Sequence, residues 1–223
     1  VAKYQDRYLF VCCASAYSSY DLYLCGFRNK CYKWGYFTEV PVVSKEELMG
    51  KKDKSRNNIL WVGRLINGKR TKDILLMSKK LMSHNINFNI NIIGSGSYDK
   101  HLKVLTKLLG LSGKVHFLGS MPPESVKRYM EIANIFIFSG NFKEGWGAVI
   151  NEAMSNGCAV VVSHAAGSAP YLIEHGKNGL IYQSGNISDL YNKVHKLLAD
   201  TKLQYAYGLS AYDTMAGLWN PKA

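Results

Sequence analysis

From about residue 59 onward, short apolar runs alternate with segments whose apolar residues recur every three or four positions. Because apolar, β-rich runs are typical of strands buried on both faces, and the recurring spacing is typical of helices, this alternation predicts repeated strand–helix units. Such units build an α/β fold, here a Rossmann-like parallel sheet with helices on both faces. The predicted strands are 59–62, 89–93, 115–117, 135–138, 159–163 and 179–182. The predicted helices are 71–84, 98–109, 123–132, 147–155 and 187–199.

The flanking segments have a different composition from this repeated pattern. A strand is predicted at 8–13, and the segment that follows ends at Pro41, before a charged stretch that is typical of a linker. We therefore divide the chain into 1–43 as a piece of a further domain, 44–58 as a linker, 59–202 as the main domain and 203–223 as a tail helix. Because the chain begins with Val and a strand-like run follows almost at once, we expect an N-terminal portion to be missing.

The charge balance sets the kind of partner that the chain attracts. A formal net charge of +12 draws anions, whether nucleic acid, anionic lipid or a phosphorylated small molecule. The basic residues are scattered; the densest run is predicted to be a solvated linker and contains Lys51, Lys52, Lys54 and Arg56. The five cysteines lack metal-ligand spacing, which indicates a reducing cytosol.

Ligands of an open parallel sheet bind beyond the carboxyl ends of its strands, so the loops at these ends are the candidate site. The loop after strand 59–62 contains Gly63, Arg64 and Lys69. The guanidinium fork of Arg64 can bind phosphate oxygens and Lys69 adds a point charge, so the pair could neutralise a diphosphate without a metal. Two surface cations on a strand-to-helix loop are the alternative interpretation.

The loop after strand 89–93 begins with Gly94 and Gly96, which would let backbone amides approach a phosphate or a ribose. This turn is not a dinucleotide-binding fingerprint, because Asp99 stands where that motif requires its third glycine.

The loop after strand 135–138 carries the strongest signal. Glu144 and Glu152 stand eight positions apart, so both can face one crevice near the start of the following helix. One carboxylate can accept hydrogen bonds from a sugar and the other from a ribose. Between the two glutamates lie the free amides of Gly147, Ala148 and Val149, where the helix dipole favours an anion.

Two nearby side chains give further predictions. His164 follows strand 159–163 directly, so its ring could point toward the crevice. Trp146 lies inside the glutamate motif, and we expect it to pack under the loop rather than contact a ligand.

These loops together resemble the family-four retaining glycosyltransferases of GT-B architecture. The resemblance rests on Gly63-Arg64-Leu65 with Lys69, the glutamate pair around Gly-Trp-Gly, and the segments 166–170 and 176–180. It covers residues 55 to 200 as the donor-binding domain, the C-terminal half of a GT-B fold. Residues 1 to 40 resemble the last part of the acceptor-side domain, and the tail resembles the helix that returns to it. Within the family, bacterial enzymes of capsule and exopolysaccharide synthesis are the most similar.

The resemblance implies a role for each residue. Arg64 and Lys69 would bind the donor diphosphate, Glu144 the donor sugar and Glu152 the ribose, with Glu144, Arg64 and Lys69 as the catalytic group. The donor would be a nucleoside-diphosphate sugar, with UDP preferred as the nucleotide; no metal or other cofactor is required, and the acceptor is a saccharide or a lipid-linked saccharide. The remaining donor-binding positions are Gly63, Gly94, Gly96, Gly147, Ala148 and Val149.

The chain departs from the family pattern at three places: a longer insert at 140–143, Arg70 in place of a frequent glycine, and Tyr171 in place of a frequent glutamate. A non-catalytic nucleotide-sugar-binding module is the alternative function. Nucleic-acid binding lacks a recognisable motif, so we expect no such partner. The expected location is the cytoplasm, and contact of the basic surface with the inner face of the membrane stays an open alternative.

Overall fold

The main body of the chain is a six-stranded parallel sheet, as predicted. The computed structural model describes residues 9–53, 55 and 57–222, so Tyr8 of the first predicted strand and Lys54 and Arg56 of the basic run lie outside the described residues. The strands of this sheet are β3 (Asn58–Val62), β4 (Asn89–Ile93), β5 (Val115–Gly119), β6 (Ile135–Phe138), β7 (Ala159–Ser163) and β8 (Leu180–Tyr182). Their order in the sheet is β5-β4-β3-β6-β7-β8, and all neighbouring strands are parallel.

Helices cover both faces of this sheet, because its central strands are apolar on both sides. One apolar cluster packs beneath α3 (Thr71–Ser83), α4 (Asp99–Leu108) and α8 (Ile187–Ala199). The other packs beneath the second layer, which consists of α2 (Lys45–Gly50), α5 (Pro123–Ile132), α6 (Val149–Ser155), α7 (Ala169–Leu172) and α9 (Thr201–Ala216). Burial of this apolar surface is the main favourable term in folding.

The N-terminal segment forms a small parallel pair, β1 (Val11–Cys13) with β2 (Cys31–Lys33), connected through α1 (Ser18–Leu24). It is packed closely on the main body. The amide of Ala16 donates to the carbonyl of Gly167 at 2.9 Å. A Cβ at Gly35 would overlap the rings of Trp146 and Trp219, so only glycine fits between these two indoles.

The segment predicted as a linker contains α2. Ser44 caps this helix by accepting a hydrogen bond from the amide of Glu47, and Leu48 and Met49 are buried. The prediction of a solvated basic run is wrong for Lys52, whose ammonium donates to the carbonyls of Met130 and Asn156 at 3.0 and 2.6 Å. These carbonyls lie near the ends of α5 and α6, so the segment ties two helices together.

The predicted tail helix exists as α9, and it belongs to the core rather than standing apart from it. Ala211, Tyr212 and Met215 are buried against the second apolar cluster. The hydroxyl of Tyr212 donates to the carbonyl of Pro41 at 2.8 Å. Among the described residues, no helix has the length and apolar character needed to cross a lipid bilayer.

A substitution at Gly94 tests the contact between the loops after β3 and β4. Gly94 has φ +135°, and a Cβ there would overlap the carbonyl oxygen of Gly63. We expect Gly94→Ala to lower the free energy of unfolding by about 2–4 kcal/mol, through backbone strain and steric overlap.

The measurement is urea denaturation followed by circular dichroism, with Gly113→Ala as the control. A Cβ at Gly113 meets no atom within 4 Å, so this change should stay within about 0.5 kcal/mol. Equal stability of the two variants would contradict the proposed contact.

Candidate functional site

The site lies where the order of the strands reverses. The chain passes from β3 outward to β4 and β5 and then returns to place β6 on the other side of β3. The loops after β3 and β6 therefore leave the sheet edge in different directions, and they open a crevice between them.

A cavity of about 670 Å³ occupies this crevice. This volume is in the range of pockets that hold a ligand of nucleotide size. Of the predicted site residues, those that line the cavity are Gly63, Lys69, Glu144, Gly147, Ala148, Val149 and Glu152.

Lys69 and Glu144 form an ion pair across the crevice, one from each loop. Ser139 holds the two loops in register: its hydroxyl donates to the carbonyl of Lys69 at 2.7 Å and accepts from the indole of Trp61 at 3.0 Å. The amide of Asn141 also donates to the carbonyl of Gly68 at 3.2 Å. The two loops that carry Lys69 and Glu144 are thus joined by hydrogen bonds and do not move independently.

The start of α6 forms the wall between the two glutamates. This helix begins at Val149, two residues later than predicted, because Gly147 has φ +86°, which is outside the helical region. Glu152 consequently lies in the first turn rather than deeper in the helix. Desolvation raises the pKa of the Glu152 carboxyl above its ordinary value.

Three predicted site residues do not line the cavity. Arg64 is exposed beside it. Gly94 and Gly96 pack against the loop after β3, where a Cβ at either glycine would overlap a carbonyl oxygen, that of Gly63 or of Leu65. The amide of Gly94 donates to the carbonyl of Gly119 at 2.8 Å, so it is engaged within the protein. Close packing of two loops explains both glycines without a ligand.

The expectation that His164 points into the crevice is wrong. Its Nδ1 accepts a hydrogen bond from the amide of Ser184 at 2.9 Å, and its ring meets the edge of Phe142. Trp146 is buried, as predicted, and its indole donates to the side chain of Asn151 at 2.8 Å.

Sequence reasoning missed several residues of the cavity wall. Thr38, Glu39 and Pro41 come from the segment before α2, and the Oγ1 atom of Thr38 is buried there without a hydrogen-bond partner among the described residues. Glu124 and Lys127 come from α5. The rule that ligands bind after parallel strands could have found the α5 residues through the loop after β5, whereas nothing in the sequence indicated that 38–41 folds over the crevice.

The three departures from the family pattern have structural settings. Arg70 has φ 52°, a backbone region that favours glycine, and its guanidinium pairs with Asp73 at 2.6 Å. Phe142 of the insert lies edge-on to Tyr17 and His164, so the insert touches the N-terminal segment. The ring of Tyr171 lies 4.7 Å from the ammonium of Lys33.

Fold and crevice together define a class: this is an α/β protein with the Rossmann-like fold of the GT-B glycosyltransferases. Residues 44–214 match the model of a family described as Glycosyl transferases group 1. The chain therefore belongs to this glycosyltransferase family.

Individual relatives agree with this assignment. The N-acetylgalactosamine-N,N'-diacetylbacillosaminyl-diphospho-undecaprenol 4-alpha-N-acetylgalactosaminyltransferase of Campylobacter jejuni is 30% identical over 149 residues, 67% of this chain and 39% of that protein. The GDP-mannose-dependent alpha-(1-6)-phosphatidylinositol monomannoside mannosyltransferase of Mycobacterium tuberculosis is 26% identical over 134 residues, 57% of this chain and 34% of that protein. The chain thus spans less than half the length of these relatives.

A solved structure supports the fold. The crystal structure of Anabaena Alr3699/HepE in complex with UDP superposes with a TM-score of 0.82 at 20% identity, and the match covers 97% of this chain and 61% of that chain.

The raised pKa of Glu152 predicts a dependence of stability on pH. Between the ordinary pKa of a glutamate, about 4.3, and the raised value, the folded chain binds more protons than the unfolded chain, so stability falls as pH rises through this window. We expect Glu152→Gln to raise the melting temperature at pH 7, because it removes an ionised group from a desolvated position.

The melting temperatures of both proteins are compared by calorimetry at pH 4 and pH 7, with Glu174→Gln, an exposed glutamate, as the control. The gain should be much smaller at pH 4, where Glu152 is mostly protonated in both states. A lower melting temperature of Glu152→Gln at pH 7 would refute the burial argument.

Proposed function

We propose that this chain carries the donor-binding half of a retaining glycosyltransferase, which transfers a hexose from a nucleoside-diphosphate sugar. The observation that carries the proposal is the ion pair between Lys69 and Glu144, which lines a cavity that Glu152 also lines. A cation beside two carboxylates matches a ligand with a diphosphate between two groups of neighbouring hydroxyls.

Each charged residue then has a role in donor binding. Lys69 leaves its pairing with Glu144 to bind the diphosphate, and the released carboxylate accepts hydrogen bonds from the donor sugar. Glu152, in the first turn of α6, accepts hydrogen bonds from the ribose hydroxyls, and the desolvation of its carboxylate strengthens those bonds. Arg64 is exposed beside the cavity and reaches the diphosphate from the solvent side. The backbone of Gly147, Ala148 and Val149 lines the cavity and lies along the diphosphate.

The chemical step is the departure of the nucleoside diphosphate from the anomeric carbon. Negative charge grows on the leaving phosphate oxygen, and Lys69 and Arg64 stabilise it there. Glu144 positions the sugar, and the new bond forms on the face from which the diphosphate left, with retention. The acceptor side is completed by residues outside this chain, consistent with the length of the relatives.

The donor and acceptor classes follow from the same argument and from the relatives. We propose UDP as the donor nucleotide, as in the complex of the Anabaena protein, while the M. tuberculosis relative depends on GDP-mannose. The proposed acceptor is a saccharide or lipid-linked saccharide of bacterial surface polysaccharide synthesis, since the C. jejuni relative acts on a diphospho-undecaprenol-linked sugar. The proposed location is the cytoplasm at the inner face of the membrane.

Nucleotide titration tests the donor site. Calorimetry of this chain with UDP, GDP, dTDP and NAD should show binding of one nucleoside diphosphate, with UDP expected, and no binding of NAD. Lys69→Ala and Glu152→Ala should each weaken binding by about 10- to 100-fold, the effect of losing a hydrogen bond to a charged group.

The control is Lys177→Ala, which removes an exposed lysine that pairs with Glu174 away from the cavity. It should leave the dissociation constant unchanged. Unaltered affinity of Lys69→Ala and Glu152→Ala for the nucleoside diphosphate would contradict the proposed site.

A transfer assay separates the enzyme from a non-catalytic binding module. With a chain extended by the N-terminal region of the natural protein, Glu144→Gln should lower kcat by at least about 100-fold, because the sugar loses its orientation. The same variant should bind UDP, which has no sugar at that position, almost as the parent does. Absence of product with the parent protein and a range of UDP- and GDP-sugars would favour the binding module.

A further inference from the structure

The two helical layers of the main body differ strongly in charge. The layer formed by α3, α4 and α8 contains eight lysines and three aspartates, a net charge of +5. The opposite layer, formed by α2, α5, α6, α7 and α9, contains four basic and six acidic residues, a net charge of −2. Of the two helical layers, only the first is therefore basic.

Most lysines of this basic face form no ion pair with another residue that the structure describes. Three of the eight are engaged: Lys103 pairs with Asp99, Lys193 pairs with Asp189, and Lys80 donates to Ser188. The other five are exposed and form no ion pair within the described part of the chain; they are Lys72, Lys79, Lys100, Lys107 and Lys196. Their field extends about 10 Å into solvent at 0.1 M salt.

The same face also exposes aliphatic side chains. Val104 and Leu108 stand one turn apart on α4, and they are 58% and 78% exposed. Lys100 and Lys107 flank them on the same helix. Aliphatic groups held outward between lysines match the boundary between phosphate headgroups and acyl chains.

We propose that the face formed by α3, α4 and α8 docks on an anionic lipid bilayer, with Val104 and Leu108 entering the headgroup region. The lysines supply attraction to the lipid phosphates, and the two aliphatic side chains supply burial of apolar surface. Nucleic acid also attracts lysines, but its charged backbone offers nothing to Leu108. The commitment to lipid rests on these two side chains together with the charge of the face.

This orientation is compatible with an open donor site. The cavity is lined by Met130 and Phe138, which belong to the apolar cluster on the other side of the sheet. A bilayer against α4 therefore leaves the cavity accessible to a soluble nucleotide. The proposal extends the membrane location proposed above, but it does not rest on the donor site, because docking requires neither donor nor transfer.

Vesicle sedimentation tests the proposal with the 223-residue chain. We expect binding to vesicles of phosphatidylcholine with 30% phosphatidylglycerol and little binding to phosphatidylcholine alone. The double variant Lys100→Glu/Lys107→Glu should lower the partition constant by more than tenfold, at about fivefold or more per lysine. Val104→Ser/Leu108→Ser, which keeps every charge, should lower it by about tenfold.

The matched control is Lys45→Glu/Arg128→Glu, which makes the same change in net charge at exposed positions of α2 and α5 in the opposite layer. It should retain most of the binding, and circular dichroism should show all variants folded. An equal loss in this control would overturn the proposal in favour of attraction by net charge alone. Full vesicle binding by Val104→Ser/Leu108→Ser would also overturn it. So would binding to duplex DNA that is tighter than binding to the vesicles and that Val104→Ser/Leu108→Ser leaves unchanged. Nucleotide titration of the same samples shows independently whether the donor site is intact.

Discussion

The reversal of strand order beside β3 is the constraint on which the rest of the structure depends. Parallel strands buried on both faces must all end at one edge, and the loops that leave β3 and β6 there must part. Gly63 and Lys69 belong to one of these loops and Glu144 to the other, so the ion pair across the crevice is a consequence of topology. Ser139, at the start of the loop after β6, then fixes the distance between the loops by bonding to Trp61 of β3 and to Lys69 of the loop after it.

The N-terminal segment forms part of the cavity wall, and the tail helix holds that segment in place. Gly35 fits between the indoles of Trp146 and Trp219, and Tyr212 bonds the carbonyl of Pro41. These contacts hold 38–41 over the crevice, where Thr38 and Glu39 form part of the wall. A site assembled in this way from four separate stretches of chain is rigid only when the whole body is folded.

Charge is distributed differently in the cavity and on the outer helices. The cavity brings Lys69 close to Glu144, and it holds Glu152 where desolvation opposes the charge of the carboxylate. A helical layer with a net charge of +5 lies on the opposite side of the sheet and exposes Val104 and Leu108. This is less than half of the chain's net charge of +12, so most of the excess lies outside that layer.

The sequence by itself determined the local elements and the edge of the sheet at which the site lies. Apolar runs such as Ile135–Phe138 are typical of strands buried on both faces, and Lys69, Glu144 and Glu152 follow such runs. Only the tertiary structure decided which loops meet. It packed Gly94 against Gly63, engaged His164 with Ser184, and brought Thr38 to the cavity. These outcomes depend on contacts between residues distant in sequence, whose geometry is set by packing and not by any local pattern.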